Sequence, residues 1–184
     1  MIIDDEAARQ AAADTRRWVE KAVIGLNLCP FAKAVQIKGQ VRYAVSDAVD
    51  EEGVLADLED ELMLISEADP EAIDTTLLIL PEALHDFYEF NDFGELSDRL
   101  LKRMRLVGEL QVATFHPAFQ FADTDPDDIG NYTNRSPYPT LHILREDSID
   151  RAVEAFPEAE TIYEKNIETL ENLGIEGWRK LMRE

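Results

Sequence analysis

Positive charge is scarce in this sequence: 18 Lys and Arg stand against 39 Asp and Glu, for a formal charge of −21. From Tyr43 to Asp98 there are 18 acidic residues and not one Lys or Arg. Nucleic acids and anionic lipids are held mainly through Lys and Arg contacts to phosphate, so a field of this sign argues against both as partners. Cysteine is scarcer still. Cys29 stands alone, so no internal disulfide forms and a disulfide-stapled secreted scaffold is excluded. No apolar run approaches the roughly 18 residues of a membrane span, so no membrane partner is expected. The start, MIIDDEAARQ, has neither the basic nor the apolar segment of an export signal. The expectation is a cytoplasmic protein, in which the glycosylation-like triplets at Asn131 and Asn134 are chance matches.

Cofactor signatures are missing too. There is no glycine-rich phosphate loop, dinucleotide fingerprint or Gly-x-Ser-x-Gly elbow, and no cofactor is expected. Cys29, His116 and His142 are too few and too scattered for a zinc signature. Asp123, Asp125 and Asp127 open like a calcium loop, but Asp128 holds the required glycine position and Asn134 the final glutamate position. No metal site is expected.

What is present suits one α/β domain spanning residues 1–184, large enough to bury roughly 70% of its extended surface. A helix is expected from Asp5 to Ile24, with Ala8, Ala11, Thr15, Trp18 and Ala22 inward and Gly25 as its stop. The passage LNLCPFAKAVQIKGQ reads as irregular, punctuated by Pro30 and Gly39, and Val41 to Ser46 alternates as a strand does. A second helix covers Asp50 to Ser66, and TTLLIL, from Thr75 to Leu80, reads as a strand covered on both faces. Pro81 can open a helix that bends near Asn91 and resumes to Met104. Strands follow at Leu110–Phe115 and Thr140–Arg145, then a short helix to Phe156 and a last one from Pro157 to Gly174. Helical connections between the first three strands predict parallel crossovers. The expected fold is a small, mainly parallel sheet of about four strands, with an antiparallel fourth strand and helices on its faces.

The chain is organised by pattern around one stretch, Leu110 to Glu146, in which a long polar passage separates two strands. Loops of this length are functional or disordered. Phe119, Phe121, Tyr132 and Tyr138 predict an ordered loop over Pro117 to Pro139, packed on the carboxyl edge of the sheet. His116 follows the third strand, at the edge where open parallel sheets place ligands. Its ordinary pKa near 6.5 lets it serve as acid or base; the plainer alternative is a structural imidazole before Pro117. With an antiparallel fourth strand, Asn131, Asn134, Arg135 and Tyr138 return beside His116, while Arg42 and Arg145 fall at the opposite edge. A parallel fourth strand instead brings Arg145 to His116. Arg135 can hold a carboxylate or phosphate through two hydrogen bonds, or pair with Asp125, Asp127 or Asp128. Arg42 and Arg145 carry the same alternatives. Cys29 is an optional nucleophile if its segment reaches the same pocket, against the commoner inert buried thiol. His142, between Leu141 and Ile143, reads as a satisfied core histidine.

The segments TRRWVEKAVIGLNLCPFAKAV, VRYAVSD, ATFHPAFQFA and NYTNRSPYPTLHILRE together resemble the bacterial domain-of-unknown-function family 1415, from Thr15 to the segment GWRKL. The resemblance implies a bacterial origin and carries no activity, substrate or catalytic set. Its family-like positions include Cys29, Pro30, Arg42, His116, Pro117 and Asn131, and further on Asn134, Arg135, Ser136 and Pro139.

Two functions fit these residues. One is a small cytoplasmic enzyme acting on an anionic metabolite, with His116 as acid or base, Cys29 as optional nucleophile, Arg135 on the anion, and Asn131 and Asn134 orienting it. The other is a non-catalytic binding or protein-interaction module, suggested by the absence of a catalytic motif and by the acidic middle of the chain.

Overall fold

In the computed structural model, which describes residues 4–184, a four-stranded sheet with strand order β1-β2-β4-β3 lies between two groups of helices. Met1 to Ile3 of the N-terminal reading lie outside the described residues. The strands are β1 (Val41–Val45), β2 (Thr75–Ile79), β3 (Leu110–Phe115) and β4 (Thr140–Arg145). The helices are α1 (Asp5–Trp18), α2 (Ala32–Ile37), α3 (Glu51–Glu67), α4 (Phe87–Met104), α5 (Glu146–Ala155) and α6 (Ile162–Arg183).

The expectation of a mainly parallel sheet is corrected. Only β1 and β2 pair in parallel, and β4 is antiparallel to both β2 and β3, so the sheet is mainly antiparallel. The physical reason is one vacant place. The crossover through α4 sets β3 down one strand-width beyond β2, running the same way. β4 then returns antiparallel into the slot and hydrogen-bonds on both sides. Its run TLHILR suits that central position, because both its faces are covered.

Strand alternation divides the core. Ala44, Leu78, Leu141 and Ile143 face α3 and α4, where Val54, Leu58, Leu62, Ile65, Phe90 and Phe93 are sealed against them. α3 opens on the Asp50 carboxylate, which accepts from Gly53 N–H, and α4 on Asp86, which accepts from Tyr88 and Glu89 N–H. The expected helix start at Pro81 is therefore displaced to Asp86, and α4 runs unbroken through Asn91. The opposite face carries Val41, Tyr43, Leu77 and Phe115 under Trp18, Leu28, Leu170 and Trp178 from α1, α6 and the segment between α1 and α2.

α1 passes into a six-residue π-helical turn, Val19–Ile24, closed by wide bonds such as Gly25 N–H to Glu20 O. The passage read as irregular contains α2, a helix with no fully buried residue. Within α6, Gly174 leaves the helical conformation at φ 66° and ψ 169°, so the expected stop is a break after which the chain coils again. Among the described residues no helix is long and apolar enough to cross a membrane.

Candidate functional site

The loop from Pro117 to Pro139 is ordered by a polar hub and an aromatic chain. Asn131 is fully buried, its Oδ1 accepting from Phe121 N–H (2.9 Å) and Thr124 Oγ1 (3.0 Å) while its Nδ2 donates to Asp125 O (2.9 Å). Phe119 stacks edge-on against Phe87 and Phe121, Phe121 against Tyr163, and Tyr132 against Trp178. Asn131 thus folds the loop, its amide oxygen and its amide nitrogen both bonded to groups of the loop itself.

His116 is buried against Phe87 and Phe90, with ring centroids 5.4 and 4.9 Å away. Its Nδ1 accepts from Ala118 N–H at 3.0 Å, which fixes the proton on Nε2, and Nε2–H donates to Leu84 O at 3.1 Å. Burial holds its pKa below the ordinary value, against the opposing pull of the backbone carbonyl partners. So placed, the ring has no free nitrogen to exchange a proton with a substrate. Of the four residues expected around it, Asn134 reaches it by hydrogen bonding, and through the backbone: His116 N–H donates to Asn134 O at 3.1 Å. The Asn134 side chain donates to Thr114 O.

The arginines are also engaged. Arg135 donates through Nε to Phe119 O (3.0 Å) and through a terminal nitrogen to Pro126 O (2.6 Å), and its guanidinium lies 4.5 Å from the Tyr132 ring centre. Arg42 makes two bonds to Glu61, at 2.8 and 2.9 Å. Arg145 donates to the carbonyls of Ile65, Ala68 and Ile73, tying β4 to the end of α3. Tyr138 donates to Asp14 at 3.0 Å, and burial followed by that carboxylate raises its pKa. Arg135 and Tyr138 do come together, with Arg17 and Trp178, along an open groove of about 500 Å³ that His116 does not border.

A second, apolar site lies on the same side of the sheet as α1 and α6. A cavity of about 170 Å³ opens between the sheet, the π-helical turn, α2 and α5. Its walls are almost wholly apolar, with Val23, Val35, Leu77, Phe115, Leu144 and Ile149 among them. It exists because α2 and α5 do not close down: neither contributes a fully buried residue, and both present small side chains, Ala32 and Ala152, to the space. α2 is held by Gln36, which bonds Glu20 and Tyr43, and α5 by Ser148 on Asp74. The rings of Phe31 and Phe156, 6.1 Å apart, bridge the two.

Cys29 and His142 both border this cavity. Sequence reasoning assigned Cys29 a part and left His142 in the core, and no pattern around His142 marks the cavity beside it. The Thr75 hydroxyl donates to Ile143 O at 2.7 Å and lies 2.7 Å from His142 Nε2. Its one proton being spent, it accepts from Nε2–H, so Nδ1 carries the lone pair. Burial pushes His142 down to about 4. Burial likewise raises the Cys29 thiol, opposed by the backbone amides of Phe31 and Ala32. Both groups are therefore neutral near pH 7, the reverse of an activated thiolate–imidazolium pair. Among the described residues no three His, Cys, Asp or Glu side chains gather as a metal site.

A family model described as "Protein of unknown function (DUF1415)" matches residues 10–180. No curated protein and no solved structure matches the chain.

Proposed function

The chain belongs to the DUF1415 family, and from that premise we propose that it is a non-catalytic binding module that takes a compact, mainly apolar small molecule into the cavity beneath α2 and α5. The cavity itself carries the reading. Its almost wholly apolar walls face a partly open space of about 170 Å³, so a guest that covers them takes that apolar surface out of water. Apolar cavities of roughly 150 Å³ stay dry and accept benzene-sized guests. A π-helical turn beside the cavity adds support, because such turns recur at functional sites. The neutral states of Cys29 and His142 favour binding over acid–base chemistry. Cytoplasmic residence in a bacterium completes the reading, carried over from composition and resemblance.

A second reading keeps the anionic metabolite, at the groove instead. Its support is that Arg135 binds carbonyls rather than carboxylates, on a groove where Arg17 and Tyr138 are already engaged by Asp14.

Amide chemical-shift titrations separate the two. Benzene should give saturable shifts along Val19–Val35 and β4, and Ala152→Phe, which fills the cavity, should abolish them while the variant stays folded. Equal shifts in the filled variant, or none in the wild type, would reject the cavity. Inorganic phosphate should move Arg135 to Tyr138 only if the groove binds anions, and Arg135→Ala should remove that response.

A further inference from the structure

The polar groups on the cavity wall are acceptors or are already committed. Thr75 spends its proton on Ile143 O and receives Nε2–H of His142, which leaves Nδ1 of His142 a bare acceptor. Ser148 spends its proton on Asp74 at 2.6 Å and accepts from Arg151 at 3.1 Å. The indole N–H of Trp18 has no acceptor, but it is sealed from solvent and cavity alike, which leaves the weak S–H donor of Cys29.

Asp74 is the one charged side chain on the wall. It takes part in no ion pair among the described residues, and Arg151 reaches the intervening Ser148 hydroxyl instead. The Ser148 hydroxyl, on the α5 side of the wall, donates to the Asp74 carboxylate, which places that carboxylate where α5 meets the start of β2. No Lys or Arg lines the cavity itself, Arg151 being held on the Ser148 hydroxyl, so an anion entering here meets the Asp74 carboxylate. A cation meets Asp74, the rings of Trp18, Phe31 and Phe115 on the walls, and the field of a chain of charge −21.

We infer that the ligand is a compact hydrophobic amine, its apolar body filling the cavity and its ammonium donating to Asp74. This rests on the cavity being the ligand site, and the test separates the two ideas. Three probes of nearly equal size, benzylamine, benzyl alcohol and benzoate, are titrated calorimetrically into wild type, Asp74→Asn and Ala152→Phe. The medium holds about 0.15 M KCl, so that long-range surface attraction is screened.

Wild type should bind benzylamine at least about tenfold more tightly than benzyl alcohol, the scale of one added ionic hydrogen bond, and should not bind benzoate. Asp74→Asn keeps an acceptor for Ser148; it should bring benzylamine down to the level of the alcohol and leave the alcohol unchanged. Ala152→Phe should lose both. Equal binding of amine and alcohol, or an amine affinity indifferent to Asp74→Asn, overturns the inference and leaves the cavity standing. Amine binding that survives Ala152→Phe is surface attraction and also overturns it. If no probe binds the wild type, the cavity reading falls and the inference with it.

Discussion

His142 shows how one side chain can be legible in kind and not in role. Its strand, its apolar neighbours and its burial follow from TLHILR. The cavity beside it depends on what three distant segments fail to fill, and no local pattern records that. His116 is the converse case: its place after β3 was readable, but the amide of Ala118 and the carbonyl of Leu84 that saturate it come from the fold of the chain around it. The His142 geometry has a consequence for stability. Its pKa is about 4 in the folded protein and near 6.5 in the unfolded chain, so below pH 6.5 the unfolded state binds the extra proton. The stabilisation is complete above pH 6.5 and is lost as pH falls toward 4, by on the order of 3 kcal/mol. Many carboxylates titrate over the same range, so the measurement is a difference. Urea unfolding of wild type and His142→Leu at pH 7 and pH 4.5 should show the wild type losing more stability than the variant. Equal losses would mean that His142 is not held neutral by burial.

At the scale of elements, α3 and α4 were legible from their buried stripes and α5 was legible although it seals no residue, while α2 was not. α3 and α4 show spaced apolar positions in the sequence and seal four and five residues respectively. α2 seals none, so between Pro30 and Gly39 there was no stripe to read. Strand positions were equally plain, but not their order, because the slot that β4 fills is set by where the α4 crossover lands and not by β4 itself. The same contrast predicts unequal motion. Helices held by a few polar bonds over a cavity open locally at a lower free energy than helices sealed in the core. Amides of Ala32–Ile37 and Glu146–Ala155 should exchange at least about a hundredfold faster than those in the middle of α3 and α4, and benzene or benzylamine should slow them. Protection of α2 and α5 equal to that of α3 would show them to be firmly packed lids and would remove the route by which a ligand enters.

Across the whole molecule the governing quantity is charge. The −21 balance is spread over helices whose ion pairs are mostly exposed, such as Arg99–Glu95 and Arg179–Glu176, and pairs of that kind contribute little. The better covered pair, Arg42–Glu61, joins β1 to α3 but offsets one acid among many. On the outer surfaces of α3 and α4, Asp60 has Asp57 one turn back, and Asp92 lies three residues from both Glu89 and Glu95, so like charges meet along each helix. Self-repulsion of this sort weakens the compact state and is relieved by salt, since the screening length falls from roughly 30 Å at 0.01 M to about 3 Å at 1 M. The melting temperature should therefore rise between about 0.01 and 0.5 M KCl. Asp60→Lys with Asp92→Lys should raise it by a few degrees at low salt, since about 1 kcal/mol moves a domain of this size by roughly 2–4 °C, and should flatten the salt dependence. A melting temperature that falls with salt, or a double variant less stable than wild type at 0.01 M, would show the acidic face to be compensated locally.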